Sequence, residues 1–130
     1  MLSETFKVRF CETDALQHVS NTALPQWFEA AREPIFRIFQ PDMAIENWPL
    51  IMASMKIDFK AQMYFGHTVE IKTGISRIGN SSFDVLQQVW QQGQCCAQGV
   101  TSLVHFDFNQ QRSVKISAFQ RRALEALLVD

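Results

Sequence analysis

The chain has 130 residues, 47% hydrophobic and 19% charged, with twelve basic and thirteen acidic side chains and a formal net charge of -1. That is the composition of one folded domain with a real core, which excludes a disordered chain. The near-neutral balance argues against nucleic acid or an anionic membrane as partner and leaves room for a small anionic ligand at a local basic patch.

The first residues, MLSETFKVRF, carry no apolar run of signal-peptide length, and no stretch approaches the ~20 apolar residues of a membrane span. Three cysteines, Cys11, Cys95 and Cys96, fit neither a disulfide framework nor a zinc spacing. Reduced structural thiols in a cytoplasmic protein are therefore expected.

In chain order, TFKVRF alternates: Phe6, Val8 and Phe10 share one face of a short half-buried strand. The polar stretch CETDALQHVSN follows at residues 11–21. Then Leu24, Trp27, Phe28, Ala31, Ile35, Ile38 and Phe39 recur at helical period, which predicts one long buried helix. Pro25 belongs in its first turn, Pro34 should kink it and Pro41 marks its end. PDMAIENWP is a loop. From Ile51 to Ala61 apolar and polar residues alternate as in a long strand, with Ile51, Ala53, Met55, Ile57, Phe59 and Ala61 on one face. Thr68–Ile78 and FDVLQQVWQQ are strands joined by the turn GNSS, which makes a hairpin. Gly93 turns the chain again into the last long strand, CCAQGVTSLVHFDF. SAFQRRALEALL closes the chain as a helix with a capping box between Ser117 and Gln120. The order is strand, helix, four consecutive antiparallel strands, short helix: an α+β architecture with one sheet and one helix packed across it. Such a sheet has a second face and free edges to cover, and a dimer or larger assembly is the simplest cover.

The string F-x-E-T-D-x-x-x-H-V-x-N … W-F-E-x-A-R, from Phe10 to Arg32, resembles the hotdog-fold acyl-CoA thioesterases of the 4-hydroxybenzoyl-CoA thioesterase type. MKIDF, GHTVEIKT, ISRIGNSSFDV and TSLVHFDF extend the resemblance over nearly the whole chain. It implies a hotdog fold, a sheet wrapped around a long central helix, in homodimers or homotetramers with active sites between subunits. It implies an acyl-CoA or aryl-CoA thioester as substrate, and no cofactor, coenzyme A being part of the substrate. By the same resemblance Asp14 is the catalytic carboxylate, and Asn21 and Thr22 stand at the helix N-terminus.

Thioester hydrolysis needs a base or nucleophile and donors for the oxyanion. A helix N-terminus supplies unpaired N–H groups and the positive end of a dipole. Asp14 could activate water or attack the thioester itself; its other reading is a turn Asp bonded to its own backbone. His18 could donate to the thioester carbonyl or merely fix the loop. Asn21 could cap the helix, which would also shape the oxyanion site. Glu12 and Thr13 read as loop-shaping residues with solvent or backbone contacts. Glu29 and Arg32 can pair on one helix face, and Glu29 is the reserve carboxylate. The resemblance brings coenzyme A along the SRIGNSS hairpin, making Arg77, Ser81 and Ser82 candidate contacts; Lys56 and Lys60, on the polar side of their strand, are further phosphate candidates. His67 and His105 stand alone, and no metal is expected.

The sequence departs from the family pattern at Ser20, where the first Asn of a pair is usual, at Leu24, where Tyr is usual, and at Gln17, where many members have Gly. Pro25 disfavours the α conformation at Leu24, so the helix is expected to start late, near Leu24 or Pro25. The reading is thioester hydrolysis to free acid and coenzyme A. A non-catalytic acyl-CoA-binding protein on the same fold and an acyl-thioester dehydratase are the alternatives.

Overall fold

The computed structural model describes all residues, 1–130. Strand β1 spans Leu2–Lys7, and a 3₁₀ turn Phe10–Glu12 follows it. Helices α1 (Ala23–Ala31) and α2 (Glu33–Phe39) come next, then strands β2 (Leu50–Phe59), β3 (Thr68–Ile78), β4 (Ser82–Gln91), β5 (Gln94–Asp107) and the short β6 (Arg112–Ser113). Helix α3 (Ala118–Glu125) ends the order. The six strands form one antiparallel sheet in the order β1-β3-β4-β5-β2, with β6 on the end of β5. This is the expected α+β arrangement, with the helical segment laid on one face.

β4 shows why the sheet folds this way. Phe83, Val85, Gln87, Val89 and Gln91 are buried towards the helices, and the intervening residues are half-buried on the other face. Against this face lie Leu24, Trp27, Phe28, Ala31, Ile35 and Phe39, the stripe legible in the sequence, with Ile38 half-buried at its margin. Gly99 of β5 admits the Phe28 ring: a Cβ there would stand 2.9 Å from Phe28 Cε2 and 3.2 Å from the Lys56 carbonyl. Gly99→Ala is expected to destabilise the fold by about 1–3 kcal/mol, seen as a lower midpoint in thermal or urea unfolding.

Four expectations are corrected. The first strand ends at Lys7, not Phe10. The Glu12 carboxylate accepts the Arg9 backbone N–H at 2.7 Å and draws the chain into the 3₁₀ turn, leaving Phe10 72% exposed. The single kinked helix is two helices that break at Arg32, with Pro34 in the first turn of α2, where its missing N–H is harmless. The strand predicted to Ala61 ends at Phe59, and it borders β5 rather than β3, so the four strands are consecutive in sequence but not in space. Its register with β5 skips Ala53, which reverses the face of every residue beyond, and most of the strand is exposed at the sheet edge. Finally, Glu29 and Arg32 make no ion pair: Arg32 turns inward and is 2% exposed. The capping box of α3 forms as expected, Ser117 and Gln120 each accepting the other's backbone N–H.

The core has two apolar clusters. One lies under α1 and includes Val19, Leu24, Trp27, Phe28, Val69, Ile71 and Val89. The other lies under α2 and α3 and includes Ile35, Phe39, Ile75, Phe83, Leu103 and Leu124. Between them are buried polar side chains: Arg32, Thr73, Gln87 and Thr101.

Candidate active site

Residues 13–19 form a tight loop closed by a bridge between Thr13 and Val19. Asp14 organises it. Its Oδ1 accepts the backbone N–H of Leu16 at 2.8 Å and of His18 at 3.1 Å, while its own N–H donates to the His18 carbonyl at 2.8 Å. This is the turn-forming geometry the sequence allowed, and it does not exhaust the carboxylate: Oδ2 accepts no hydrogen bond, and Asp14 is exposed. Gln17, in the place where glycine is usual, holds φ of 66°, a left-handed conformation that the loop imposes on a residue with a side chain.

The loop is anchored on residues 63–65. Val19 N–H donates to the Met63 carbonyl at 2.8 Å, Phe65 N–H to the Gln17 carbonyl at 3.2 Å, and His18 bridges Tyr64. The His18 ring meets Tyr64 edge-on at 5.1 Å between centroids and makes no hydrogen bond within the chain.

Behind the loop stands a residue that sequence reasoning undervalued. Glu12 is buried, not solvated. Its Oε2 accepts the Trp27 indole N–H at 2.6 Å and the Arg9 guanidinium at 2.9 Å, in addition to the Arg9 backbone contact. Burial pushes the Glu12 carboxyl up, but the hydrogen bonds from Arg9 and Trp27 outweigh it and leave it below the usual glutamate range. The signal was present: Arg9 and Glu12 are three apart, and the indole of a helix-stripe Trp needs an acceptor.

α1 begins at Ala23, within a residue of the start expected near Leu24, and Pro25 sits in its first turn. Leu24 is helical because it is buried in the α1 cluster, and that packing overrides the local penalty before proline. Asn21 does not cap the helix. The N-cap is Thr22, whose side chain makes no capping bond and instead pairs with Ser20 Oγ at 2.9 Å. Ala23 N–H donates to Ser20 and Leu24 N–H to Asn21, while Pro25 has none. The Asn21 N–H has no acceptor in the chain, and that of Thr22 has only a 3.4 Å contact to Ser20 Oγ.

A cavity of about 330 Å³ opens beside this helix start, lined by Val19, Asn21, Leu24, Phe59, Lys60, Ala61, Gln62 and Met63. It lies between α1 and the end of the exposed edge strand β2. Asn21 and Lys60 line this cavity; Asp14, His18 and Thr22 do not, and they adjoin it only through their chain neighbours Val19 and Asn21. The structure sets the other candidates apart. Arg77 donates to both Asp84 oxygens at 2.9 and 3.3 Å and to Ser82 Oγ at 3.0 Å. Burial raises the Asp84 carboxyl, and the bonds from Arg77 and Ser102 more than reverse this. The Arg77, Ser81 and Ser82 hairpin lies at the far end of β3, nine residues or roughly 30 Å from Val69 beside the loop. Lys56 is 4.0 Å from Asp58 on the exposed edge. Glu29 is exposed on α1 and does not line the cavity. No three His, Cys, Asp or Glu side chains converge as metal ligands, and no helix is long and apolar enough to cross a membrane.

Residues 8–124 match the family model of the thioesterase-like superfamily. The chain belongs to that superfamily. This thioesterase-like chain is similar to a predicted thioesterase from Bacillus stearothermophilus, with 36% identity, a TM-score of 0.95 and coverage of 98% of this chain and 96% of that one. It is also similar to a thioesterase from Thermus thermophilus whose crystal structure holds coenzyme A and Zn, with 26% identity, a TM-score of 0.84 and coverage of 96% and 92%. No curated protein matches it. The superfamily and these structures make it a hotdog-fold protein of thioesterase type.

Proposed function

We propose that this thioesterase hydrolyses acyl-CoA or aryl-CoA thioesters, with Asp14 and the start of α1 as its reacting groups. The observation that carries this reading is the unpaired Asn21 amide on the wall of a cavity, seven residues from a carboxylate with one free oxygen. The thioester carbonyl oxygen is set to accept the Asn21 N–H, assisted by the Thr22 N–H and the dipole of α1. Water adds to the carbonyl carbon as Asp14 Oδ2 takes its proton. The tetrahedral oxyanion stays on the amide donors and collapses, the C–S bond breaks, and the leaving sulfur takes the proton from Asp14, which gives the free acid and coenzyme A and restores the carboxylate. One such donor is worth about 2.7–4 kcal/mol in the transition state of other enzymes. His18 holds the loop that carries Asp14. No cofactor takes part.

The homodimer of this proposal follows from the edge strand. β2, paired with β5 on one side, leaves its other edge without a partner strand, with Ile51, Met52 and Phe59 exposed. Antiparallel pairing with the β2 of a second copy would put the Phe59 end beside that copy's Leu50 end. Leu50 pairs with His105, and the neighbouring Val104 pairs with Ser82. The second copy's Ser82, on β4, would then stand about 14 Å from this β2, three strand spacings away, with Arg77 on β3 about 5 Å further. That supports coenzyme A lying between Lys60 and the hairpin of the other subunit, with Lys56 adding positive charge along the same edge. The Thermus thermophilus protein holds coenzyme A, which supports the same substrate class.

Free thiol release from a panel of acyl- and aryl-CoA esters tests the function; no release from any member sinks it. Lys60→Ala is expected to raise KM roughly three- to tenfold at low ionic strength and less at high salt, with kcat little changed, as initial rates at two salt concentrations will show.

A further inference from the structure

Arg32 is the most deeply buried cation in the chain and plays no part in the chemistry above. It ends α1 and starts α2, its guanidinium enclosed between the two apolar clusters. No carboxylate lies within ion-pair distance. Its Nη1 donates to Gln87 Oε1 at 3.2 Å and Thr101 Oγ1 at 3.3 Å, and its Nε has no partner. Burial pushes its pKa down without removing the charge. A buried charge among neutral partners is unfavourable, and an apolar side chain of the same length would be the more stable filling.

Gln87 shows what the arrangement holds. Its Oε1 takes Arg32, and its Nε2 donates to the Phe28 carbonyl of α1 at 2.9 Å and to Thr73 Oγ1 at 3.1 Å. One amide on the central strand β4 therefore fixes both the helix break and the last turn of α1. Thr73 on β3 and Thr101 on β5 flank it, so three adjacent strands grip the same point. α1 has nine residues, about 13 Å, so an axial or rotational shift at this end is transmitted to its start.

We propose that Arg32 is a positioning residue: through Gln87 it sets α1 along its axis and so aims the Asn21 and Thr22 amides at the thioester. This deepens the thioesterase reading and rests on it for its kinetic consequence. Misplacement by 1 Å can cost on the order of a hundredfold in rate.

The test compares Arg32→Met, Arg32→Lys and Gln87→Glu with the natural chain. Arg32→Met should lower kcat about ten- to hundredfold with KM within about threefold, and Arg32→Lys should recover part of it. Gln87→Glu gives the guanidinium a carboxylate but removes the donor to Phe28, so it should keep or raise the melting temperature and still lower kcat. In a ¹⁵N spectrum the Asn21 and Thr22 amide resonances should move in all three. A merely structural Arg32 predicts the opposite: kcat per folded molecule within about twofold of the natural chain and unmoved Asn21 and Thr22 resonances. Either result in a folded variant overturns the proposal. Should Arg32→Met not fold, Arg32→Lys and Gln87→Glu decide. If the natural chain releases no thiol from any ester, the thioesterase reading fails alone; the amide shifts still decide whether Arg32 sets the helix.

Discussion

Asp14→Asn is expected to lower kcat for thioester hydrolysis by about 10²–10⁴-fold without unfolding the protein. The asparagine oxygen can still accept the Leu16 and His18 N–H groups that Oδ1 holds, so the loop keeps its shape. What is lost is the free Oδ2, the only part of the side chain not spent on the turn. Thiol release with a saturating CoA ester, beside a far-ultraviolet circular dichroism spectrum, measures both halves. Normal turnover by the folded variant removes Asp14 from the mechanism and brings Glu29 forward.

Glu12→Ala is expected to have the largest effect on stability. The carboxylate is 9% exposed and is the sole acceptor for the Trp27 indole, which is itself buried. Removing it leaves that N–H unsatisfied and deletes two charge-assisted contacts, together about 2–4 kcal/mol. In a domain of this size the melting temperature should fall by roughly 10 °C. The effect depends on pH. The folded pKa of Glu12 lies below the usual value of 4.5, so the group stabilises the fold fully above that value and loses its contribution as pH falls through the folded pKa. The gap between natural and variant melting temperatures should therefore narrow in acid. A constant gap from pH 7 to about pH 3 would show that the carboxylate charge carries none of it.

The strands and helix stripe were legible because their periods are set by burial on one face: Thr68–Ile78 was read to the residue, and the apolar stripe from Leu24 to Phe39 is the buried face of α1 and α2. Much of what failed has a common cause. The fate of Arg32 and the role of Glu12 are each decided by a polar side chain reaching a partner that only the fold brings near, whereas the end of β1 turns on the local Arg9–Glu12 contact. Glu12 finds Trp27 fifteen residues away, and Arg32 finds Gln87 fifty-five away. β3, β4 and β5 pair as consecutive hairpins and β2 takes the remaining edge beside β5, a spatial order that a strand-by-strand reading does not give. In the candidate site, the Asp14 loop was readable from its turn residues. Asn21 and Thr22 were readable as the helix start; which of their N–H groups stays unpaired was not, since that depends on the neighbouring acceptors.

The two apolar clusters on either side of the Arg32 layer also set how the molecule opens. β3, β4 and β5 run through both clusters, whereas α1 belongs to one and α2 with α3 to the other. Hydrogen exchange in native conditions should therefore resolve two partial openings. The α2 and α3 amides should exchange as one group while α1 stays protected, and the amides of the three central strands should exchange only on global unfolding. The helix carrying the proposed oxyanion donors would then stay on the sheet through fluctuations that release the other end of the domain.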